Sequence, residues 1–498
     1  MNTLLNGLTN ASNFALTENG GLTHKTTRNM VYDMFALGGA YRTRSDEDTI
    51  LLFKNAYEQD PTLALKCLFY LRDVRGGAGE RRFFRVCYKW LAKNHTEVAR
   101  RNMPHLGEYG RWDDYYVLVD TPLENAMFTF LKKQLALDVQ SKTPSLLAKW
   151  LKSCNTSSAE SRILGDKTRI AFGMTHKQYR KTLSILRERI NIVERLMSEN
   201  RWDEIEFDKI PSRAGLIYKN AFARRDIIAA KYEAFAKDEN TKVNAKALYP
   251  YEVVHEACKG MNYWCGYQNI LSDVDRAMVN KYWDNLTDYF NGASLNALAV
   301  VDTSSSMTGS EASAPINVAI SLGMYCAEKA KGPFAGHYVS FSRNARLVKV
   351  EGVDFVDKVQ RIYKTNLCEN TNLQSVFDLL LQTAINNDCS QADLPEHIVI
   401  ISDMEIDNSY DMGYDRDRNK ILTMMETQRI KWANHGYKLP NLIYWNVQAR
   451  NNNILDDGPN VSYVSGMSPV LFEQIMTGKT GWDLCLDKLN SERYTPIH

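Results

Sequence analysis

Residues 295–307, LNALAVVDTSSSM, decide the fold. The run 295–301 reads as a strand buried on both faces, and it stops at Asp302-Thr303-Ser304-Ser305-Ser306. Asp302, Ser304 and Ser306 therefore lie on a loop at the carboxyl end of a strand, offering three oxygen side chains at alternate positions. Downstream, apolar β-branched runs recur at 337–341, 347–350, 397–401, 442–447 and 461–464, with helical patterns near 314–331, 371–387, 416–435 and 469–490 between them. That alternation predicts a doubly wound α/β sheet with a mostly parallel core. Its ligand site should lie at the carboxyl ends of the central strands.

Upstream of Ser294 the texture differs. From about Arg28 to Phe290, apolar residues recur at three- and four-residue spacing, in helical stretches separated by short polar breaks. Ser45, Asp46 and Asp48 supply capping and negative charge to a helix over 45–60. A second helix follows Pro61 over 62–72, and a third, over 81–94, carries Phe84, Cys87, Tyr88 and Leu91 on one stripe. Thr175 and Gln178 form a capping box for a helix over 175–200. A series of such helices without strands predicts stacked helical hairpins of the solenoid type, with a degenerate repeat or a bundle as alternatives. The chain thus divides into a helical domain, 1–294, and an α/β domain, 295–498.

Composition excludes several classes. The 498 residues are 44% apolar and 24% charged, which rules out disordered and fibrous architectures. Nine cysteines, at 67, 87, 154, 258, 265, 326, 368, 389 and 485, include no C-x-x-C pair and are expected to be reduced core residues in a reducing, cytoplasmic compartment. The first residues lack the pattern of an export signal, and no run is long enough to span a membrane. No G-x-S-x-G pentapeptide occurs, and Glu473 stands where a P-loop ending in Gly478-Lys479-Thr480 needs glycine. Hydrolysis by a serine nucleophile and nucleotide hydrolysis are both set aside, and the chain is expected not to be an enzyme.

The net charge of +2 conceals an asymmetry. Up to Ser294 there are 43 Lys and Arg against 35 Asp and Glu; beyond it, 18 against 24. Residues 141–190 alone hold eleven basic residues against three acidic ones. A second cluster, DVRGGAGERRFFR over 73–85, places Gly76, Gly77 and Gly79 before a helix start flanked by arginines, where backbone amides would cradle a phosphate. Phe83, Trp112 and Tyr179 are candidate stacking surfaces for a single strand.

Two more oxygen donors fall where an α/β sheet would bring them to the first strand's end. Thr371 stands at a helix start in Asn370-Thr371-Asn372, and Asp403 closes the run that begins at His397. Carboxylates and hydroxyls suit a hard, hydrated cation such as Mg²⁺ rather than zinc. Glu405 and Asp407 read as solvated loop charge. The set Asp302, Ser304, Ser306, Thr371 and Asp403 resembles the metal-ion-dependent adhesion site of the von Willebrand factor A domain. That resemblance implies Mg²⁺, or another hard divalent cation, with one position open to a carboxylate from an acidic protein partner.

Over nearly the whole chain, DVRGGAGERRFF, GRWDD (110–114), SLLAKWL (145–151), KTRIAFGMTHKQYRK (167–181), SDMEID and PNLIYWNVQ are similar to domain-of-unknown-function family 2828. That family resembles the TROVE module of telomerase, Ro and vault proteins. The resemblance implies a HEAT-like helical repeat, able to close into a ring, followed by a Rossmann-like von Willebrand factor A domain. It further implies a monomeric, Ro-like protein that holds single-stranded ends or small structured RNA. The candidate RNA contacts are Arg72, Arg75, Arg82, Arg111, Lys149, Lys167, Arg169, His176, Lys177, Arg180 and Lys181. The competing expectation is a metal-dependent protein scaffold without nucleic acid, in which the basic helices dock on the acidic domain.

Overall fold

A computed structural model describes residues 13–190, 192–245, 248–259, 271–290, 296–329, 331–365, 370–407, 414–415, 420–475 and 478–498. A short antiparallel hairpin, β1 (Phe14–Leu16) and β2 (Leu22–His24), precedes the helices. The helices begin where capping chemistry puts them. Ser45 accepts from the Asp48 amide at the start of Asp46–Gln59, and Asp60 accepts from the Leu63 amide at the start of Pro61–Arg72, where proline fills the first helical position. Arg82–Asn94 buries Phe84, Cys87, Tyr88 and Leu91 as the stripe predicts. The helix expected over 175–200 is two elements, His176–Ile190 and Val193–Ser198, with extended backbone at Ile192 between them.

From Ala297 the chain forms a mixed sheet of β3 (Ala297–Asp302), β4 (His337–Phe341), β5 (Ala345–Lys349), β6 (His397–Ser402), β7 (Asn441–Asn446) and β8 (Val461–Ser465). The strand order is β8-β7-β6-β3-β4-β5, and every neighbouring pair is parallel except β4 with β5. Every residue of β3 and β6 is buried, which is why both strands read as continuous apolar runs; edge strand β5 is only partly covered. Three local expectations change. Phe355–Thr365 is an additional amphipathic helix, the expected 371–387 helix starts at Gln374 and leaves Thr371 on the preceding loop, and the expected 469–490 helix is Leu471–Ile475 and Gly481–Leu489. Gly478, ahead of the second helix, and Gly481, its first residue, take positive φ. Of the helix expected over 416–435, Met424–Asn434 is described, and residues 416–419 lie outside the described residues.

Both ends of the helical part pack on the sheet unit. Helix Met30–Leu37 lies against β8: the Tyr463 amide donates to Tyr32 Oη at 3.0 Å, and Ser465 Oγ donates to the Phe35 carbonyl at 3.0 Å. A Cβ on Gly39 would lie 2.3 Å from the Ser465 carbonyl oxygen, so this approach requires glycine. At the other end, helix Pro250–Cys258 packs on Pro315–Lys329 and Phe355–Thr365, and Arg276 holds Asp354 through two 2.7 Å bonds. The C-terminal helix Gly481–Leu489 returns to Pro61–Arg72, so one continuous hydrophobic core serves both parts. Ser294 and Leu295, at the expected domain boundary, lie outside the described residues, as do Cys265 and Cys368. The seven described cysteines are unpaired, and among the described residues no helix is long and apolar enough to cross a membrane.

Candidate metal centre and basic cleft

Parallel pairing of β3 with β6, with Val301 opposite Ile401, brings Asp302 and Asp403 side by side at the carboxyl ends of the two central strands. Asp302, Ser304, Thr371 and Asp403 are buried and Ser306 is half-buried. The Ser304 amide donates to Asp302 Oδ1 at 2.9 Å, Ser402 Oγ donates to Asp302 Oδ2 at 2.5 Å, and the Ser304 and Ser306 hydroxyls are 3.0 Å apart. Thr371 is tied to the loop that follows Asp403 through Asn19, whose Nδ2 donates to Thr371 Oγ1 at 3.4 Å and to the Glu405 carbonyl at 2.7 Å. Burial, and after it the charge of Asp403, pushes the Asp302 carboxyl above the usual carboxylate range.

Glu405 and Asp407 are not solvated loop charges. Glu405 is 1% exposed and accepts the Glu18 amide at 2.7 Å and Asn451 Nδ2 at 3.0 Å, while Asp407 accepts the Thr371 amide at 3.0 Å. Glu405 is buried and Asp407 half-buried because β1, β2 and their turn pack over residues 403–407, a pairing nearly four hundred residues apart in sequence that periodicity does not reveal. Arg450 also enters the site, pairing with Asp403 through Nη2 and with Glu18 through Nη1 at 2.9 Å. Of the buried carboxylates Asp302, Asp403 and Glu405, only Asp403 pairs with a guanidinium among the described residues. This excess of buried carboxylate, with an oxygen-only donor set, fits a hard cation.

The eleven expected RNA contacts separate into two groups. Arg72 is corrected: it is 2% exposed, and its Nε and Nη2 bond Asp114 Oδ2 at 2.8 and 2.7 Å, so no ligand reaches it. Arg75 donates to the Glu108 carbonyl, Arg82 pairs with Asp46, and Arg111 holds Asp113 at 2.9 and 2.7 Å while lying over the Trp150 ring. The glycine-rich cradle is also corrected. The amides of Ala78, Gly79 and Glu80 donate to the carbonyls of Tyr70, Asp73 and Leu71, and a Cβ on Gly77 would lie 2.0 Å from the Tyr70 carbonyl oxygen. These glycines let the loop fold back on its own helix around Asp73, which pairs with Arg493 and accepts from Tyr494 Oη at 3.0 Å. Phe83 and Tyr179 are buried in the core and offer no stacking face.

The second group surrounds helix His176–Ile190. Lys167 pairs with Asp120 at 2.8 Å, Arg169 with Asp166 at 3.1 Å, and Lys149 lies 3.7 Å from Glu194. His176, two-thirds exposed, is 3.6 Å from Asp166. Lys177, Arg180 and Lys181 are exposed and have no acidic partner among the described residues. Lys149, His176 and Arg180 line a cleft of about 540 Å³, joined there by Arg187 and Arg195, which the sequence reading did not single out. Arg187 is anchored by the Ala148 and Leu151 carbonyls at 2.8 and 3.0 Å, and Arg195 by Glu188 and Glu199. Cys154, Asp166 and His176 also lie together, but Arg169 already supplies the positive charge that Asp166 needs. That group is a hydrogen-bonded hub.

The chain belongs to the domain-of-unknown-function family DUF2828, whose model matches residues 17–146 and 129–293. A second model, the domain of unknown function DUF7788, matches residues 296–491. Among curated proteins the chain is similar to an uncharacterized protein, L728, of Acanthamoeba polyphaga mimivirus. The two are 28% identical over 516 residues, spanning 94% of this chain and 85% of the relative.

Proposed function

We propose that this member of the DUF2828 family is a non-enzymatic, Ro-like RNA-binding protein, with a helical repeat related to the TROVE module and a von Willebrand factor A-like domain that binds Mg²⁺. The observation that carries the RNA reading is the uncompensated charge of Lys177, Arg180 and Lys181 on the exposed face of helix His176–Ile190, beside the cleft that His176 lines. Cations held by no carboxylate exchange only counterions and water for phosphate, so their pairing with RNA is opposed by little. The scaffold alternative needs the 141–190 cations to dock on the acidic domain. Among the described residues, the ion pairs they make go to Asp120, Glu124, Asp166 and Glu194, all within the helical part.

A fluorescent single-stranded RNA titrated into the protein across a salt series tests this reading. With three or four phosphate contacts, affinity should fall roughly 20- to 50-fold between about 50 and 200 mM salt, from a single-strand slope of about −0.7 per contact. No binding at low salt, or binding indifferent to salt, rejects it.

At the metal centre, Asp302 and Asp403 would meet the ion as carboxylates, Ser304 and Ser306 as hydroxyls, and Thr371 would complete the shell. The ion would supply positive charge for a carboxylate partner and relieve the repulsion between Asp302 and Asp403. Calorimetric titration of Mg²⁺ should give one site in the parent and none in Asp302→Ala, with RNA affinity unchanged. Equal Mg²⁺ binding by parent and variant would remove the metal reading.

A further inference from the structure

The metal centre is covered by its own chain. The turn at residues 17–21 lies over residues 403–407: Thr17 Oγ1 donates to the Ile406 carbonyl at 2.5 Å, the Glu18 amide to Glu405 Oε2 at 2.7 Å, and Asn19 Nδ2 to the Glu405 carbonyl at 2.7 Å. The fit is close enough to demand glycine, since a Cβ on Gly21 would lie 2.8 and 2.9 Å from the carbonyl oxygens of Ile406 and Asp407. Arg450 is the link between turn and centre. One of its terminal nitrogens holds Glu18 at 2.9 Å and the other holds Asp403.

We propose that a divalent ion at the Asp302–Asp403 centre and the docked 17–21 turn oppose one another through Arg450, so that the turn is a cap which ion binding loosens. The inference rests on reading the centre as a cation site. A guanidinium and a divalent ion both draw on the Asp403 carboxylate and repel each other across it. An ion that takes Asp403 pushes Arg450 away from the position in which it also grips Glu18. Linkage makes the effect reciprocal: the factor by which the ion weakens docking of the turn is the factor by which the docked turn weakens the ion. The face uncovered presents the ion and an Arg450 released from Glu18, two positive groups suited to an incoming carboxylate. Glu18 is the internal carboxylate that an acidic segment of a partner would replace.

Hydrogen exchange of the full chain, followed at residues 13–24 with saturating Mg²⁺ or with EDTA, tests the cap, and calorimetry on the same samples reports whether the ion binds. The Glu18 and Gly21 amides, hydrogen-bonded to Glu405 and to Thr17 Oγ1, should exchange at least about fivefold faster with Mg²⁺, the lower end of ordinary couplings. Arg450→Gln should bind Mg²⁺ at least about fivefold more tightly and exchange fast with or without the ion. Glu18→Gln, at a side chain nearly half exposed, keeps the test independent of any folding defect in the arginine variant and should exchange fast already in EDTA. Mg²⁺ binding in the parent with unchanged or slower exchange overturns the cap and leaves the metal reading standing. Absence of Mg²⁺ binding in both parent and Arg450→Gln overturns both; binding in Arg450→Gln alone supports the antagonism.

Discussion

Asp114→Ala is expected to destabilise the protein by about 3–5 kcal/mol, the cost of breaking a buried ion pair from one side. Asp114 is fully buried at the junction of two sequence motifs, DVRGGAGERRFF and GRWDD. It accepts from Arg72 Nε at 2.8 Å, from Arg72 Nη2 at 2.7 Å, from Arg85 Nε at 2.6 Å and from the Arg111 amide at 2.9 Å. Removing the carboxylate strands Arg72, which is almost fully buried. The reverse change is less harmful. Arg72→Met removes the buried cation and keeps apolar volume, while Asp114 retains Arg85 and the Arg111 amide, so it should cost well under half as much. Arg82→Ala, which breaks a half-exposed pair with Asp46, should cost no more than about 1 kcal/mol. Thermal and urea unfolding of the three variants, compared at the first cooperative transition, give the order Asp114→Ala, then Arg72→Met, then Arg82→Ala. Equal losses for the first two would sink the asymmetry.

These residues show where sequence reasoning reaches and where it stops. Asp302 and Asp403 were legible because each ends an apolar run, and in a parallel sheet the ends of adjacent buried strands lie side by side. Arg72 was misread although a signal was present. It follows Leu68 by four residues and Leu65 by seven, on the stripe that helix Pro61–Arg72 buries, where an arginine has to be paired inside. The Gly76–Gly79 run had the composition of an anion nest, but the amides of Ala78 and Gly79 answer to the carbonyls of Tyr70 and Asp73, and only a backbone trace distinguishes the two uses. Glu18 and Arg450 carried no local signal at all. Their roles come from a hairpin and a loop brought onto the carboxyl ends of the central strands by tertiary packing, so neither spacing nor periodicity marks them. The single helix expected over 175–200 concealed the break that lets Val193–Ser198 turn back and wall the cleft with Arg195 and Glu194.

The cleft also receives the larger functional test. Changing Lys177, Arg180 and Lys181 together to glutamate should weaken single-stranded RNA binding by at least roughly 100-fold at about 0.1 M salt, and reduce the slope of log affinity against log salt by about 2, three contacts at about 0.7 each. Two effects combine. Each substitution removes a cation that no carboxylate of the fold neutralises, and each places a like charge where the phosphates would run. Stability should change little, because the three side chains are exposed and form no hydrogen bond or ion pair among the described residues. Arg82→Ala serves as the control for the other basic group, since Arg82 is already held by Asp46, and it should leave RNA affinity within about threefold of the parent. Lys167→Ala should behave like that control, because Asp120 and Glu124 already answer its charge. A triple variant that binds RNA as the parent does, or an Arg82→Ala variant that loses as much, would move the RNA site away from helix His176–Ile190.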